Sequence, residues 1–192
     1  MKMAKKFLAV ALAGVLALSV LTGCGASVKS KDIADSLTKM GVKVEQSKDV
    51  DKTAENTLKA IETIIAADSA NKITLDNAVE KVTGKVISQE HIDGNTDAAN
   101  AVQKALGVFT TGEGAEKANV GKQIRVALVK TENAKKDASL QAALVKDRLV
   151  TANAADVTNN KTVVEPGKLG TATTKDGKYI LVVIVNDVKD AG

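Results

Sequence analysis

The sequence predicts an α+β fold, in which helices pack on a mainly antiparallel sheet, and three observations predict it. Apolar residues recur at helical spacing over residues 51–68. The dipeptide Asp176-Gly177 separates two extended runs, as in a tight β-hairpin. The second of these runs is apolar at every position from Ile180 to Val185. We therefore expect a C-terminal β-hairpin whose last strand is central and covered on both faces.

Amphipathic periodicity and end signals place the helices. The predicted helices span residues 30–40, 51–68, 74–83, 96–106 and 138–152. Three of them are followed directly by a glycine, at Gly41, Gly84 and Gly107, which is the residue favoured just beyond a helix end. The 51–68 segment has the longest apolar stripe, with charged and amide side chains on its other face.

Runs rich in β-branched residues place the strands. Short strands are expected over 42–44 and 85–88, an inner strand over 123–130, and the two hairpin strands over 168–174 and 178–188. Residues 108–120 contain Thr-Thr-Gly-Glu-Gly and are expected to form a loop.

The amino terminus has the order of a secretory signal. Three lysines within the first six residues precede the uncharged, mostly apolar segment Phe7 to Leu21. The alternative is an uncleaved membrane-spanning helix, because no charged residue occurs from Phe7 through Val28. The small residues that follow Leu21 suit a protease site better than a lipid-facing span.

The segment Leu21-Thr22-Gly23-Cys24 resembles the lipobox of bacterial lipoproteins, and all four positions match. The resemblance implies that a dedicated signal peptidase recognises Leu21, Thr22 and Gly23, and that the chain is cut just before Cys24. It also implies that lipoprotein-processing enzymes attach diacylglycerol to the Cys24 sulfur. Two acyl chains hold a protein stably at a membrane, whereas one attaches it reversibly.

These features divide the chain. We expect residues 1–23 to be a cleaved signal peptide, residues 24–31 to be the lipidated cysteine and a short tether, and residues 32–192 to be a single extracytoplasmic domain. The expected location is the cell membrane, with the domain facing outward.

Composition narrows the function classes. Removing residues 1–23 lowers the basic count from 27 to 24, against 23 acidic residues, and no clustered basic segment remains, so nucleic-acid binding is not expected. The mature chain keeps two aromatic residues, Phe109 and Tyr179. This disfavours clefts that stack sugars or bases on several rings.

The single histidine, His91, lies in a polar segment with Glu90, Asp93 and Asp97. Imidazole and carboxylates could bind zinc or a harder cation. The preferred interpretation is a polar turn ahead of a helix cap. A calcium loop is disfavoured because Gly94 is misplaced, the glycine of the sharp turn is missing after Asp97, and Lys104 stands where a bidentate glutamate should be. We therefore predict no metal site.

Two short motifs match parts of catalytic or cofactor-binding patterns. Ser36-Leu37-Thr38-Lys39 matches the S-x-x-K pattern of penicillin-binding enzymes, but neither S-D-N nor K-T-G follows it. Gly112-Glu113-Gly114 begins a dinucleotide-binding pattern that Lys117 breaks. A cysteine–histidine catalytic pair is excluded if lipidation uses the one cysteine. We predict no catalytic residue and no cofactor.

The function expected from sequence is that of a membrane-anchored surface lipoprotein with a non-enzymatic role in binding, assembly or envelope structure. Its partners are the membrane, through the lipid on Cys24, and a protein or small ligand that the sequence does not identify. The alternative is a small solute-binding lipoprotein that serves a transporter. A third, less favoured hypothesis is an atypical cell-envelope hydrolase.

Overall fold

A computed structural model describes residues 28–67, 74–75, 105–107, 122–131, 134, 136–151 and 161–190. The helices among them are α1 (Ser30–Lys39), α2 (Lys48–Ala67) and α3 (Ala138–Arg148). The strands are β1 (Val44–Gln46), β2 (Lys122–Lys130), β3 (Val150–Thr151), β4 (Lys161–Val163), β5 (Gly167–Thr173) and β6 (Tyr179–Asp190).

The six strands form one mixed sheet in the order β1-β5-β6-β2-β3, and β4 pairs with the end of β6. The short β1 runs parallel to β5, and the other pairs of described strands are antiparallel. Strands β5 and β6 form the C-terminal hairpin. The predicted α+β fold with a mainly antiparallel sheet is therefore confirmed.

Strand β6 lies at the centre of the sheet, between β5 and β2. Its side chains alternate between two cores, as the uninterrupted apolar run predicts. Leu181 and Val183 face α2, whereas Ile180, Val182 and Ile184 face α1 and α3. Each of these five residues is at most 1% exposed. The sheet is thus covered by helices on both faces.

The apolar stripe of α2 supplies one side of the first core. Val50, Ala54, Leu58 and Ile61 occur at intervals of three and four residues and are all buried. They pack on alternate residues of β2 and β6. The second core is closed by α1 and α3, whose buried residues are Ile33, Ala34, Leu37, Ala142 and Val145.

The first strand begins two residues later than predicted, at Val44 instead of Val42. The reason is the end of α1. Gly41 has φ 89°, the Val42 N–H donates to the Leu37 carbonyl at 2.9 Å, and the Gly41 N–H donates to Thr38 at 3.1 Å. This Schellman motif uses Val42 to close the helix, so the chain becomes extended only afterwards.

Other boundaries shift for local reasons. Helix α3 ends at Arg148 instead of residue 152, because Val150 and Thr151 pair with Val126 and Arg125 of β2. The hairpin loop spans four residues, 175–178, and is longer than the two-residue turn expected at Asp176-Gly177. Gly177 has the positive φ, 69°, that the turn requires.

Several predicted elements lie outside the described residues. They are most of the helix over 74–83, the strand over 85–88, most of the helix over 96–106 and the loop over 108–120. Ala105 and Leu106 are helical, and Gly107 follows them with φ 73°.

Candidate functional site

The lipidation site has the strongest signal in the sequence, and it stays a prediction. Cys24 and the lipobox residues Leu21, Thr22 and Gly23 lie outside the described residues, as does the whole 1–23 segment. The polar segment around His91, with Glu90, Asp93 and Asp97, and the glycine-rich stretch 112–114 also lie outside them.

The S-x-x-K pattern lies on α1 with its two ends in different environments. Ser36 is 8% exposed and belongs to the side of α1 that packs on the sheet, together with Ile33 and Leu37. Lys39 is exposed in the last turn of the helix. The serine side chain is therefore sheltered from solvent and does not present a nucleophile at an open surface.

A polar cluster converges on Asp51, a half-buried residue in the first turn of α2. Its Oδ1 accepts the Ser30 hydroxyl at 2.8 Å and the Thr171 backbone N–H at 2.9 Å. Its Oδ2 accepts the Gln46 amide at 2.6 Å. One carboxylate thereby joins α1, β1, α2 and β5. We call Ser30, Gln46, Asp51 and Thr171 the Asp51 cluster.

The number of hydroxyl protons fixes the direction of the hydrogen bonds in the Asp51 cluster. The Ser30 hydroxyl has one proton, which it donates to Asp51. The Ser30 and Thr171 hydroxyl oxygens lie 2.7 Å apart. Thr171 Oγ1 must therefore donate to Ser30, because the serine proton is already used. The two hydroxyls and the carboxylate form a chain of hydrogen bonds that has one direction.

The cluster forms where β5 extends past the short β1. The last contact between the two strands is the Ser47 N–H, which donates to the Leu169 carbonyl at 2.8 Å. The chain then turns into α2, whose first turn crosses β5 at Gly170. A Cβ atom at Gly170 would collide with the backbone of Val50 and Asp51. The missing side chain lets the helix come close enough for Asp51 to reach Thr171.

Sequence reasoning missed this cluster, although one signal was present. A lone glycine inside a strand marks a bulge or a close backbone approach. Gly170 interrupts the first hairpin strand in this way. The identity of the segment that approaches it depends on the tertiary fold, which places residues 50–51 about 120 positions away in sequence against β5.

A second polar group surrounds Arg125 of β2, which pairs with Ile184 midway along β6. The guanidinium Nη2 donates to Asn186 Oδ1 at 3.2 Å. Within the part of the chain that the structure describes, Arg125 Nε is buried and has no hydrogen-bond partner. Burial lowers the pKa of Arg125, and the nearby negative charge of Glu165 acts in the opposite direction. The arginine is therefore a desolvated cation with weak compensation.

Neighbouring groups fix the side chain of Asn186, which accepts the hydrogen bond from Arg125. Asn186 is 1% exposed and its Nδ2 donates to the Val164 carbonyl at 2.9 Å. An added Cβ at Gly167 would lie 2.6 Å from both polar atoms of the Asn186 side chain. Glu165, whose negative charge acts on Arg125, bonds Lys43 at 2.8 Å. We call Arg125, Asn186, Gly167 and Glu165 the Arg125 corner.

No group of three or more histidine, cysteine, aspartate or glutamate side chains within the described ranges is placed to hold a metal ion. No helix within those ranges is both long enough and apolar enough to cross a bilayer.

Comparison of the chain with protein-family models, with curated proteins and with solved structures finds no significant match.

Proposed function

We propose that this protein is a bacterial lipoprotein, held at the extracytoplasmic face of the cell membrane by acyl chains on Cys24. We further propose that its α+β domain has a non-enzymatic role in binding, assembly or envelope structure. The lipobox residues Leu21, Thr22 and Gly23 carry the first part, because each matches the pattern that precedes a lipidated cysteine. The observation that carries the proposal is how soon the packed domain follows this motif.

Val28 is partly buried against the core formed by α1 and α3, and α1 begins at Ser30. The packed chain thus already includes Val28, inside the segment 24–31 that the sequence assigned to the tether. An extended chain spans about 3.6 Å per residue, so the four steps from Cys24 to Val28 reach at most about 14 Å. Acyl chains on Cys24 would therefore hold the domain directly at the membrane surface.

The non-enzymatic role is supported by how the polar side chains are used. Both oxygens of Asp51 accept hydrogen bonds from groups that join secondary-structure elements. The Ser36 side chain lies on the buried side of α1. Polar groups engaged in this way stabilise an architecture and hold a surface in one shape, as a binding or assembly module requires.

The second candidate is a solute-binding lipoprotein, and the Arg125 corner favours it. A half-buried guanidinium with an unused Nε donor would gain from a carboxylate or another small anion. Reaching Nε requires the arginine side chain to turn outward from its present position. This candidate therefore predicts an acidic ligand and a change of the Arg125 rotamer on binding.

The anchor is tested by fractionating bacteria that produce the full chain. The parent protein is expected in the membrane fraction, and Cys24→Ser is expected to lose stable attachment because no acyl chain can be added. Ser27→Ala, which leaves the lipobox intact, is the matched control and should stay with the membrane. A Cys24→Ser protein that resists release as strongly as the parent would refute the proposed anchor.

The role of the domain is tested by thermal shift and cross-linking on the same protein. An acidic ligand at about 100 times its Kd would add about 2.7 kcal/mol to the free energy of unfolding. For a domain of this size that corresponds to a rise in Tm of roughly 5–10 °C. Such a rise, lost in Arg125→Met, would favour the solute-binding candidate over the proposed role. A specific cross-linked envelope protein without any ligand shift would support binding or assembly.

A further inference from the structure

We infer that the junction between the proposed lipid anchor and the domain is a protease cleavage site, which the Asp51 cluster keeps closed. The bond concerned joins Lys29 to Ser30, at the start of α1. Hydrolysis there adds one water molecule, leaves the Lys29 carboxylate on the anchored fragment and gives the released domain a new amino terminus at Ser30. The inference rests on the proposed attachment through Cys24, and it specifies how that attachment is preserved.

The side chain of Lys29 makes this bond recognisable to a protease that cuts after lysine. Lys29 is exposed and directly precedes α1. A protease holds the residues on both sides of the bond that it cuts in an extended form, so burial and hydrogen bonding of the backbone limit cutting. The lysine is therefore available for recognition, and the backbone around it decides whether the bond is cut.

The carbonyl group of Lys29 is engaged in the first turn of α1. It accepts the Asp32 N–H at 2.9 Å and the Ile33 N–H at 3.2 Å. A protease must bind this same carbonyl oxygen in its oxyanion hole, because the oxygen becomes negatively charged during attack. The bond between Lys29 and Ser30 can therefore be cut only after the first turn of α1 opens.

The first turn of α1 has no local cap. Lys29 occupies the N-cap position, and no side-chain hydrogen bond caps the helix there. Serine, threonine, aspartate and asparagine are the residues that usually accept a backbone N–H at this position, and loss of such a cap destabilises the start of a helix. The start of α1 therefore depends on contacts with the rest of the domain.

The Asp51 cluster supplies these contacts, together with Val28. The Ser30 hydroxyl donates to Asp51 at 2.8 Å and accepts the Thr171 hydroxyl at 2.7 Å. These two partners belong to α2 and β5, so the first turn of α1 is fastened to the body of the domain. Val28 packs on the core beside α1 and α3. Opening the turn requires that these contacts break.

The next lysine in the chain precedes a bond with stronger protection. Cutting after Lys31 would require Ile33 and Ala34 to leave the core, and these residues are 0% and 2% exposed. Residues 28–32 contain one apolar side chain, that of Val28. The upstream bond therefore opens at a lower cost in free energy, and its protection depends on the Asp51 cluster.

Limited trypsin digestion of bacterial membranes that contain the full-length protein tests the inference. Ser30→Ala removes both hydrogen bonds of the serine side chain. We expect its cut after Lys29 to be about tenfold faster than that of the parent, which corresponds to about 1.4 kcal/mol, because the rate follows the population of the opened state. The cut moves the domain into the supernatant, where mass spectrometry identifies a new amino terminus at position 30.

A second variant acts from a position far from the cut bond. Thr171→Val removes the other hydroxyl, and we expect a cut after Lys29 that is roughly threefold faster than in the parent. Thr173→Val, on an exposed threonine of the same strand, is the matched control and should be cut at the parent rate. Synthetic peptides of residues 25–35, with serine or alanine at position 30, correct for the preference of trypsin itself.

Two kinds of result would overturn the inference, and they are distinguishable. An unchanged rate of cutting after Lys29 in Ser30→Ala, or a first cut after another lysine in this variant, would refute the role of the Asp51 cluster. Either result leaves the anchor intact when the undigested parent sediments with the membrane. A parent protein that is absent from the membrane fraction before digestion would refute the anchor, and the inference with it.

Discussion

The side-chain carboxylate of Asp51 accepts the backbone N–H of Thr171 at 2.9 Å, at the point where β5 continues beyond the end of β1. An edge strand leaves such N–H groups without a strand partner. Here the first turn of α2 supplies the acceptor. The same carboxylate also binds the Ser30 hydroxyl, so the edge of the sheet and the start of the domain are stabilised together.

Asp51→Ala should lower the free energy of unfolding by about 3 kcal/mol. It removes the acceptor of three hydrogen bonds and leaves the Thr171 N–H without its side-chain partner. Urea unfolding followed by circular dichroism measures the change. Asp49→Ala is the control, because Asp49 is an exposed aspartate in the same helical turn. A loss below about 1 kcal/mol for Asp51→Ala would contradict the role given to the cluster.

Gly170→Ala should be among the most harmful single substitutions in the described residues, with a loss of about 3 kcal/mol or more. The added methyl group would collide with the backbone of Val50 and Asp51, which cannot move without displacing α2. Gly41→Ala separates this clash from backbone strain. Gly41 has φ 89° and open space around it, so about 1–2 kcal/mol is expected there. Equal losses in the two variants would argue against a close approach at Gly170.

Glu62 on α2 gives a prediction about pH. Burial raises the pKa of its carboxyl group, Lys175 acts against this rise and Asp176 adds to it. The folded state therefore binds more protons than the unfolded state over the pH range between the two pKa values. The contribution of Glu62 to the free energy of unfolding therefore falls as the pH rises through that range, which begins at about pH 4.

Glu62→Gln should consequently raise the free energy of unfolding near pH 7 and lose this advantage at about pH 3, where both states are protonated in the parent. Glu55→Gln, on the exposed side of the same helix, controls for removing one negative charge. Urea unfolding at the two pH values measures both variants. An advantage that is equally large at low pH would show that ionisation of Glu62 is not its cause.

Arg125→Met should change the free energy of unfolding by less than about 1 kcal/mol, despite the position of Arg125 inside the sheet. Removing a desolvated charge with a free Nε is favourable, and losing the bond to Asn186 is unfavourable by a similar amount. Arg148→Met, at the exposed end of α3, is the control. A loss above about 3 kcal/mol would show that Arg125 is needed for folding, and it would weaken the case for an anion site.

Local patterns predicted most of the described elements because each pattern reflects burial on one or both faces. The run from Ile180 to Val185 predicted a central strand, and two helical layers do cover it. The apolar stripe of α2 predicted its buried face, and Gly41 predicted the end of α1. In contrast, β1 was placed two residues early, because Val42 fits a strand by residue type but closes the Schellman motif of α1.

Neither polar cluster was predicted, and the reason is physical. Asp51 and Thr171 are 120 residues apart, and the bond between them requires that α2 cross β5 at a glycine. In the sequence, Arg125 looks like an ordinary polar residue of a strand. Its desolvation depends on neighbours such as Asn186 from β6, which the sequence does not reveal. Periodicity carries information on which face is buried, but not on which distant groups meet there.

The most direct test of the central claim is mass spectrometry of the natural protein extracted from bacterial membranes. We predict a mature chain that begins at Cys24 and has the added mass of a diacylglyceryl group on its sulfur, with or without a further acyl chain on the new amino terminus. A mature chain that begins at another residue, or one in which Cys24 has an unmodified thiol, would contradict the account.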